Sequence, residues 1–217
     1  VGGVAAARER AKSPAVSSSS GAACALEVLL LGFNRINNIE DLELQRCPRL
    51  RVLHLQSNNL ANLNGLTTCT NLQELVLNKN RIRQLDADSL SGLGMVHELH
   101  LQENGLRSLA HISELSNLQS LHLGYNRIND IGDIERLQNL NRLVNVAINN
   151  NPVSRRQLYR PTLICQLPSV RWIDGLEISY EERERAEVLL RSEKPLKFFL
   201  QEIRPSTGVQ EVRPPSQ

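Results

Sequence analysis

The chain has 217 residues, and 25 Lys+Arg against 23 Asp+Glu leave a net charge of +2. That balance predicts no strong polyelectrolyte partner, and 3% aromatic residues supply little surface for stacking on nucleic-acid bases. No run approaches the roughly 20 apolar residues that span a bilayer, so neither direct nucleic-acid contact nor a membrane is expected.

Residues 1–25 are rich in Ala, Ser and Gly and include the run Ser17–Ser20. They read as a flexible linker or as the end of a preceding region, with RERA at 8–11 as part of an earlier helix. Arg8, Arg10 and Lys12 occur without a sustained apolar core, which is not the pattern of a signal peptide. Val1 stands first and Met95 is the single methionine, so the chain is expected to be the C-terminal piece of a longer protein.

From Leu26 to Val153 the sequence repeats. Units start at Leu26, Leu50, Leu72, Val96, Leu118 and Leu143, spaced by 24, 22, 24, 22 and 25 residues. Typical units are LQELVLNKN (72–80) and LQSLHLGYN (118–126). Positions 1, 4 and 6 are apolar, and 4 and 6 alternate with an outward position 5, the period of a short strand. Position 9 is Asn in all six units: Asn34, Asn58, Asn80, Asn104, Asn126 and Asn151. An Asn side chain both donates and accepts, so stacked asparagines can serve the backbone of successive turns as a ladder. The second halves, INNIEDLEL (36–44), LRSLAHISEL (106–115) and INDIGDIERL (128–137), have the spacing of 3₁₀ or short helical turns. LDADSLSGLGM (85–95) reads as a short turn closed by Gly92 and Gly94. A unit this regular predicts an α/β leucine-rich-repeat right-handed solenoid with a parallel concave sheet of about six strands and short 3₁₀ or helical convex turns.

A solenoid needs a cover on its last layer. Residues 154–192 read as that cap. Leu158, Tyr159, Leu163, Ile164 and Leu167 have helical spacing, and Val170, Trp172 and Ile173 suit a final strand-like layer. Ser179-Tyr-Glu-Glu182 is a capping box that opens a charged C-terminal cap helix expected to end near Ser192. In the tail, 193–217, Pro195, Pro205, Pro214 and Pro215 exclude one continuous helix. Phe198 and Phe199 there either pack on the cap or dock on another protein.

The short repeats together with YR-x-x-LI-x-x-LPSV-x-x-IDG followed six residues later by ER resemble the SDS22-like leucine-rich-repeat class with its C-terminal cap, over roughly residues 26–188. That class includes a phosphatase regulatory subunit, a spliceosomal A-prime protein, an axonemal dynein light chain and ciliary assembly factors. The resemblance implies a non-catalytic protein-protein interaction scaffold, as a structural or assembly component of cilia or flagella. It would sit in the cytoplasm at the axoneme, with axonemal proteins or tubulin as partners. The alternatives are a regulatory subunit of a protein phosphatase and a ribonucleoprotein component. The first uses acidic concave residues, in which this face is poor.

Candidate contact residues lie at concave positions. Position 5 reads Leu30, His54, Val76, His100, His122, Ala147, which makes His100 and His122 neighbours. Two histidines without a nearby carboxylate are a thin ligand set, so no metal and no other cofactor is expected. Arg35, Arg81 and Arg127 recur at position 10 with Lys79 close by. They either grip an acidic partner or form a solvated rim balanced by Glu74, Glu98 and Glu103. Phe33, beside Leu30, and Tyr125 are the aromatic candidates. The sequence has no Gly-rich phosphate loop, no G-x-S-x-G and no H-E-x-x-H, so neither an enzyme nor a small-molecule substrate is expected. Cys24, Cys47, Cys69 and Cys165 are scattered without C-x-x-C spacing and read as reduced structural thiols.

Overall fold

Each Leu-x-x-Leu-x-Leu unit builds one short strand of a parallel sheet. A computed structural model describes a strand at Val4–Ala6 and then residues 24–202, with side chains described for 24–191. The strands are β1 (Val4–Ala6), β2 (Val28–Leu30), β3 (Val52–His54), β4 (Glu74–Val76), β5 (Glu98–His100), β6 (Ser120–His122), β7 (Asn145–Ala147), β8 (Trp172–Ile173) and β9 (Leu176–Glu177). They form one nine-stranded sheet in sequence order. The pairs from β1 to β8 are parallel, and β8–β9 is antiparallel. Neighbouring strands are joined at identical repeat positions, as in Val52↔Glu74, Leu53↔Leu75 and His54↔Val76.

This in-register stacking sorts the side chains. Position 4 points inward, and Leu53, Leu75, Leu99, Leu121, Val146 and Ile173 are buried. Position 6 does the same with Leu55, Leu77, Leu101, Leu123 and Ile148. Each buried Leu contributes about 1.5–3 kcal/mol, and the core is one continuous column along the array. Leu26, Leu29 and Leu31 of the first unit are only partly buried.

The convex turns are short, as their spacing predicts. They comprise 3₁₀ turns such as Glu40–Leu42, Leu44–Arg46, Ile112–Glu114 and Arg136–Asn139, with α1 (Ala87–Leu90) and α2 (Gly132–Glu135). The turn after α1 needs glycine at 92, where φ is +86° and a Cβ would collide with the Thr67 carbonyl. Gly94 meets no such constraint.

Five of the six asparagines interlock. The Asn80 side chain donates to Leu55 O in the preceding unit and to Leu77 O in its own, both at 2.9 Å, and accepts from Leu60 N at 3.0 Å. Asn58, Asn104, Asn126 and Asn151 repeat the pattern. Asn34 does not. It is exposed and donates only to Leu31 O and Gly32 O of its own turn. Among the described residues it makes no bond to a second layer.

The C-terminal end is closed by α3 (Tyr159–Gln166), the β8–β9 hairpin and α4 (Tyr180–Glu202). Asp174-Gly175 forms the tight hairpin turn, with φ of +54° and +80°, the left-handed pair that a two-residue loop requires. Ser179 Oγ accepts from Glu182 N at 3.1 Å and starts α4.

Two expectations need correction. Residues 4–6, read as linker, form a strand on the first repeat, so the sheet has more than about six strands. The cap helix does not stop near Ser192 but runs to Glu202, through Pro195. Proline removes one N–H and crowds the carbonyl four residues back, and here the helix resumes after that local loss. The side chains of Phe198 and Phe199 lie outside the described residues.

Candidate functional site

The outward face of the sheet is the candidate surface. Register places position 5 in one row: Leu30, His54, Val76, His100, His122 and Ala147. The neighbouring row at position 3 reads Val28, Val52, Glu74, Glu98, Ser120, Asn145 and Trp172.

The histidines in this row are tied to that neighbouring row. His54 Nε2 lies 2.8 Å from Glu74 Oε1, and His100 Nε2 lies 2.7 Å from Glu98 Oε1. The rings of His100 and His122 stack at 4.4 Å between centroids, 11° from parallel. His122 Nε2 lies 2.9 Å from Ser120 Oγ, which accepts from Asn145 Nδ2 at 3.3 Å. Burial, and then the adjacent His100, hold the His122 imidazole below the ordinary histidine range, so the ring is neutral at pH 7. The expectation of two histidines without a carboxylate is therefore wrong. Glu98 and His100 are two residues apart on one strand, so period-2 geometry puts both on the same face.

A second row runs along the edge at position 8. Phe33, Ser57, Lys79, Glu103, Tyr125 and Asn150 all have φ between +53° and +60°. The turn that redirects the chain into the asparagine ladder imposes this left-handed backbone, which is costly for bulky side chains. Phe33 is 79% exposed and Tyr125 60% exposed. Two large rings are thus held in solvent on a strained backbone. Nearby, the Gln56 amide folds over Gly32, 2.6 Å from where a Cβ would stand.

Arg35, Arg81 and Arg127 are exposed, and none has an ion-pair partner among the described residues. The carboxylates expected to balance them are engaged elsewhere. Glu74 and Glu98 face histidines, and Glu103 pairs with Lys79 at 3.5 Å. The three arginines therefore present free positive charge along one edge.

Trp172 is a contact candidate that the sequence reading placed in a final strand-like layer without giving it a face. Its neighbour Ile173 is buried, but Trp172 occupies position 3 and is 41% exposed. The alternation of a strand carried the signal, because Trp172 directly precedes the buried Ile173.

The comparisons agree with the repeat fold. A family model described as "Leucine-rich repeat" matches residues 113–203, and one described as "Leucine Rich repeats (2 copies)" matches residues 48–92. This is a leucine-rich-repeat chain. A 60-residue stretch of the repeat chain is 37% identical to U2 small nuclear ribonucleoprotein A' of Aspergillus fumigatus, covering 28% of this chain and 24% of that protein. Over 65 residues it is 31% identical to the Homo sapiens protein of the same name, covering 30% and 26%. The chain thus matches about a quarter of the length of these relatives. The solved structure of the Drosophila melanogaster SNF/U2A' complex matches with TM-score 0.51 and 26% identity, over 81% of this chain and 87% of that one. A leucine-rich-repeat protein of Leptospira interrogans matches with TM-score 0.60 and 26% identity, over 68% and 37%. No described helix is long and apolar enough to cross a membrane.

Proposed function

We propose that this leucine-rich-repeat interaction scaffold is non-catalytic and receives a folded protein partner on its concave face and the position-8 edge. The contacts fall to Phe33, Tyr125 and the unpaired Arg35, Arg81 and Arg127, with Leu30, His54, Lys79, His100 and His122 lining the surface between them. Exposed aromatic and arginine side chains are the residue types that anchor protein interfaces. Free guanidinium groups favour a partner with carboxylates on its facing surface. The observation that carries the reading is the pair of strained, solvent-held rings, Phe33 and Tyr125, beside a line of arginines without counter-ions among the described residues.

The partner class we favour is a ribonucleoprotein protein. Support comes from the match to the SNF/U2A' complex, which covers 81% of this chain, and from the U2 A' relatives. The ciliary reading rests on the resemblance of the repeats to SDS22-like arrays, and of segments such as LHLGYNRINDI (121–131) to the C-terminal array of leucine-rich repeat-containing protein nine. Titration of the purified chain with purified SNF and, separately, with tubulin separates the two. Micromolar binding of SNF, weakened when Arg35, Arg81 and Arg127 are all changed to Glu, supports the first. Binding of tubulin alone reverses the assignment, and binding that ignores the charge reversal removes the arginines from the site.

A further inference from the structure

We propose that Glu98, His100 and His122 form a binding site for a divalent transition-metal ion of the zinc class on the concave face. One ligand atom from each residue lies within 4.8 Å of the other two. Zinc bonds of 2.0–2.1 Å place tetrahedral ligand atoms roughly 3.3 Å apart, so side-chain torsions alone can close the set. Two imidazoles and one carboxylate are a donor set that binds zinc and leaves a fourth position open.

The sheet supplies the preorganisation. Glu98 and His100 are alternate residues of β5, and His122 lies opposite His100 on β6. Because strand register fixes both histidines, no loop has to move to bring them together. The Ser120 hydroxyl, itself contacted by Asn145, steadies the His122 ring. Outer contacts of this kind orient metal-binding imidazoles and strengthen the site. All three side chains keep partial exposure, with Glu98 at 38% and His100 at 20%, so the open position faces the groove. Water fills it in the free chain, and a partner's carboxylate or imidazole can replace that water.

The rest of the row supplies an internal control. His54 also has a carboxylate, Glu74, at 2.8 Å. Its neighbours along position 5 are Leu30 and Val76, which bring no third ligand.

The test uses the 217-residue chain, freed of metal and kept reduced, titrated with Co²⁺ and then with Zn²⁺ in competition. The expected result is one Co²⁺ per chain, with visible absorption typical of low coordination number and no intense near-ultraviolet thiolate band. His122→Ala abolishes the signal, Glu98→Gln weakens binding by at least about 10-fold, and His54→Ala leaves it unchanged. Glu98→Gln keeps a hydrogen-bonding group beside His100, so it carries the test if His122→Ala fails to fold by circular dichroism. Absence of Co²⁺ binding overturns the proposal. So does binding that survives Glu98→Gln at full strength, or a thiolate band that moves the metal to Cys24, Cys47 and Cys69.

Discussion

The Tyr159 hydroxyl donates to Asp174 Oδ2 at 2.9 Å, and Asp174 Oδ1 accepts from Ile148 N and Asn149 N at 2.7 and 2.9 Å. Ile148 occupies position 6 of the last repeat. In interior repeats the N–H at that position donates to a carbonyl of the next strand, as Leu55 N does to Val76 O and Leu77 N to His100 O. β8 continues the sheet only as far as Ile173, so at the next register position the Asp174 carboxylate takes the place of a strand carbonyl, and Tyr159 holds it there. We predict that Asp174→Ala, which strips acceptors from two backbone N–H groups and one hydroxyl, lowers stability by about 3 kcal/mol. Urea unfolding measures it, and a loss under about 1 kcal/mol would reduce the carboxylate to a surface ornament.

The same contact gives a pH dependence. Burial, then the charge and hydrogen bond of Asp174, hold the Tyr159 phenol well above the ordinary tyrosine range. The folded chain therefore keeps this proton at a pH where the unfolded chain releases it. Its contribution is fully present below the unfolded value, near pH 10, and is lost as pH rises through the folded value. Tyr159→Phe should flatten the alkaline limb of the stability–pH curve. An unchanged slope above pH 10 would show that other groups dominate it.

Arg160 and Glu182 form the second latch of the cap. The guanidinium donates to both carboxylate oxygens, at 3.0 Å for Nη2–Oε2, and also to Ile173 O at 2.9 Å. The bond to Arg160 holds the Glu182 carboxyl below the usual carboxylate range. Stability from a depressed carboxylate is present above its unfolded value and is lost as pH falls through the folded one. Because the Glu182 side chain is 35% exposed, solvent screening keeps this below about 1 kcal/mol. Glu182→Gln should accordingly shrink the loss of stability between about pH 5 and pH 3. Chemical unfolding at those two values, compared with pH 7, checks the sign.

The asparagine column is uneven in a measurable way. Asn80 bridges two layers with its amide buried, whereas the exposed Asn34 bonds, among the described residues, only to its own turn. Removing a buried amide leaves carbonyls and an N–H unpaired, so Asn80→Ala should cost about 2–3 kcal/mol and Asn34→Ala under about 1 kcal/mol. Equal losses at the two sites would mean that the column contributes by turn propensity rather than by bridging.

The repeat period made the core legible. Once Asn80 and Asn126 are aligned, Leu75 and Leu121 must point inward and His100 must meet His122. The cap motif was legible as a signature, but its physics was not, because a spacing cannot show that the Asp174 carboxylate replaces a strand carbonyl or that Arg160 spans to Glu182. The Glu98–His100 pairing was present as alternate residues of one strand. It was missed because positions 3 and 5 were read as separate columns when they share one face. Trp172 was placed in the final strand-like layer without a face, although alternation with the buried Ile173 points it outward. The strand at Val4–Ala6 left no signal, because it carries neither the leucines nor the asparagine that mark a unit.

Phe33 and Tyr125 set stability against contact. Both occupy a left-handed backbone position that costs an ordinary residue roughly 1–2 kcal/mol, and both rings are solvent-exposed, so folding gains little from them. Asn adopts this conformation more readily because its short side chain can bond locally, and Asn150 already holds the equivalent place in the sixth repeat. Changing Tyr125 to Asn should therefore raise stability by about 0.5–1 kcal/mol while weakening partner binding by 10-fold or more, the effect of truncating an aromatic anchor. The two effects have opposite signs, which separates an interface residue from a misplaced core residue. Thermal or urea unfolding reads the first, and titration with the partner reads the second. A Tyr125→Asn chain that is both less stable and equally able to bind would return the ring to a structural role and leave the arginine edge as the contact surface.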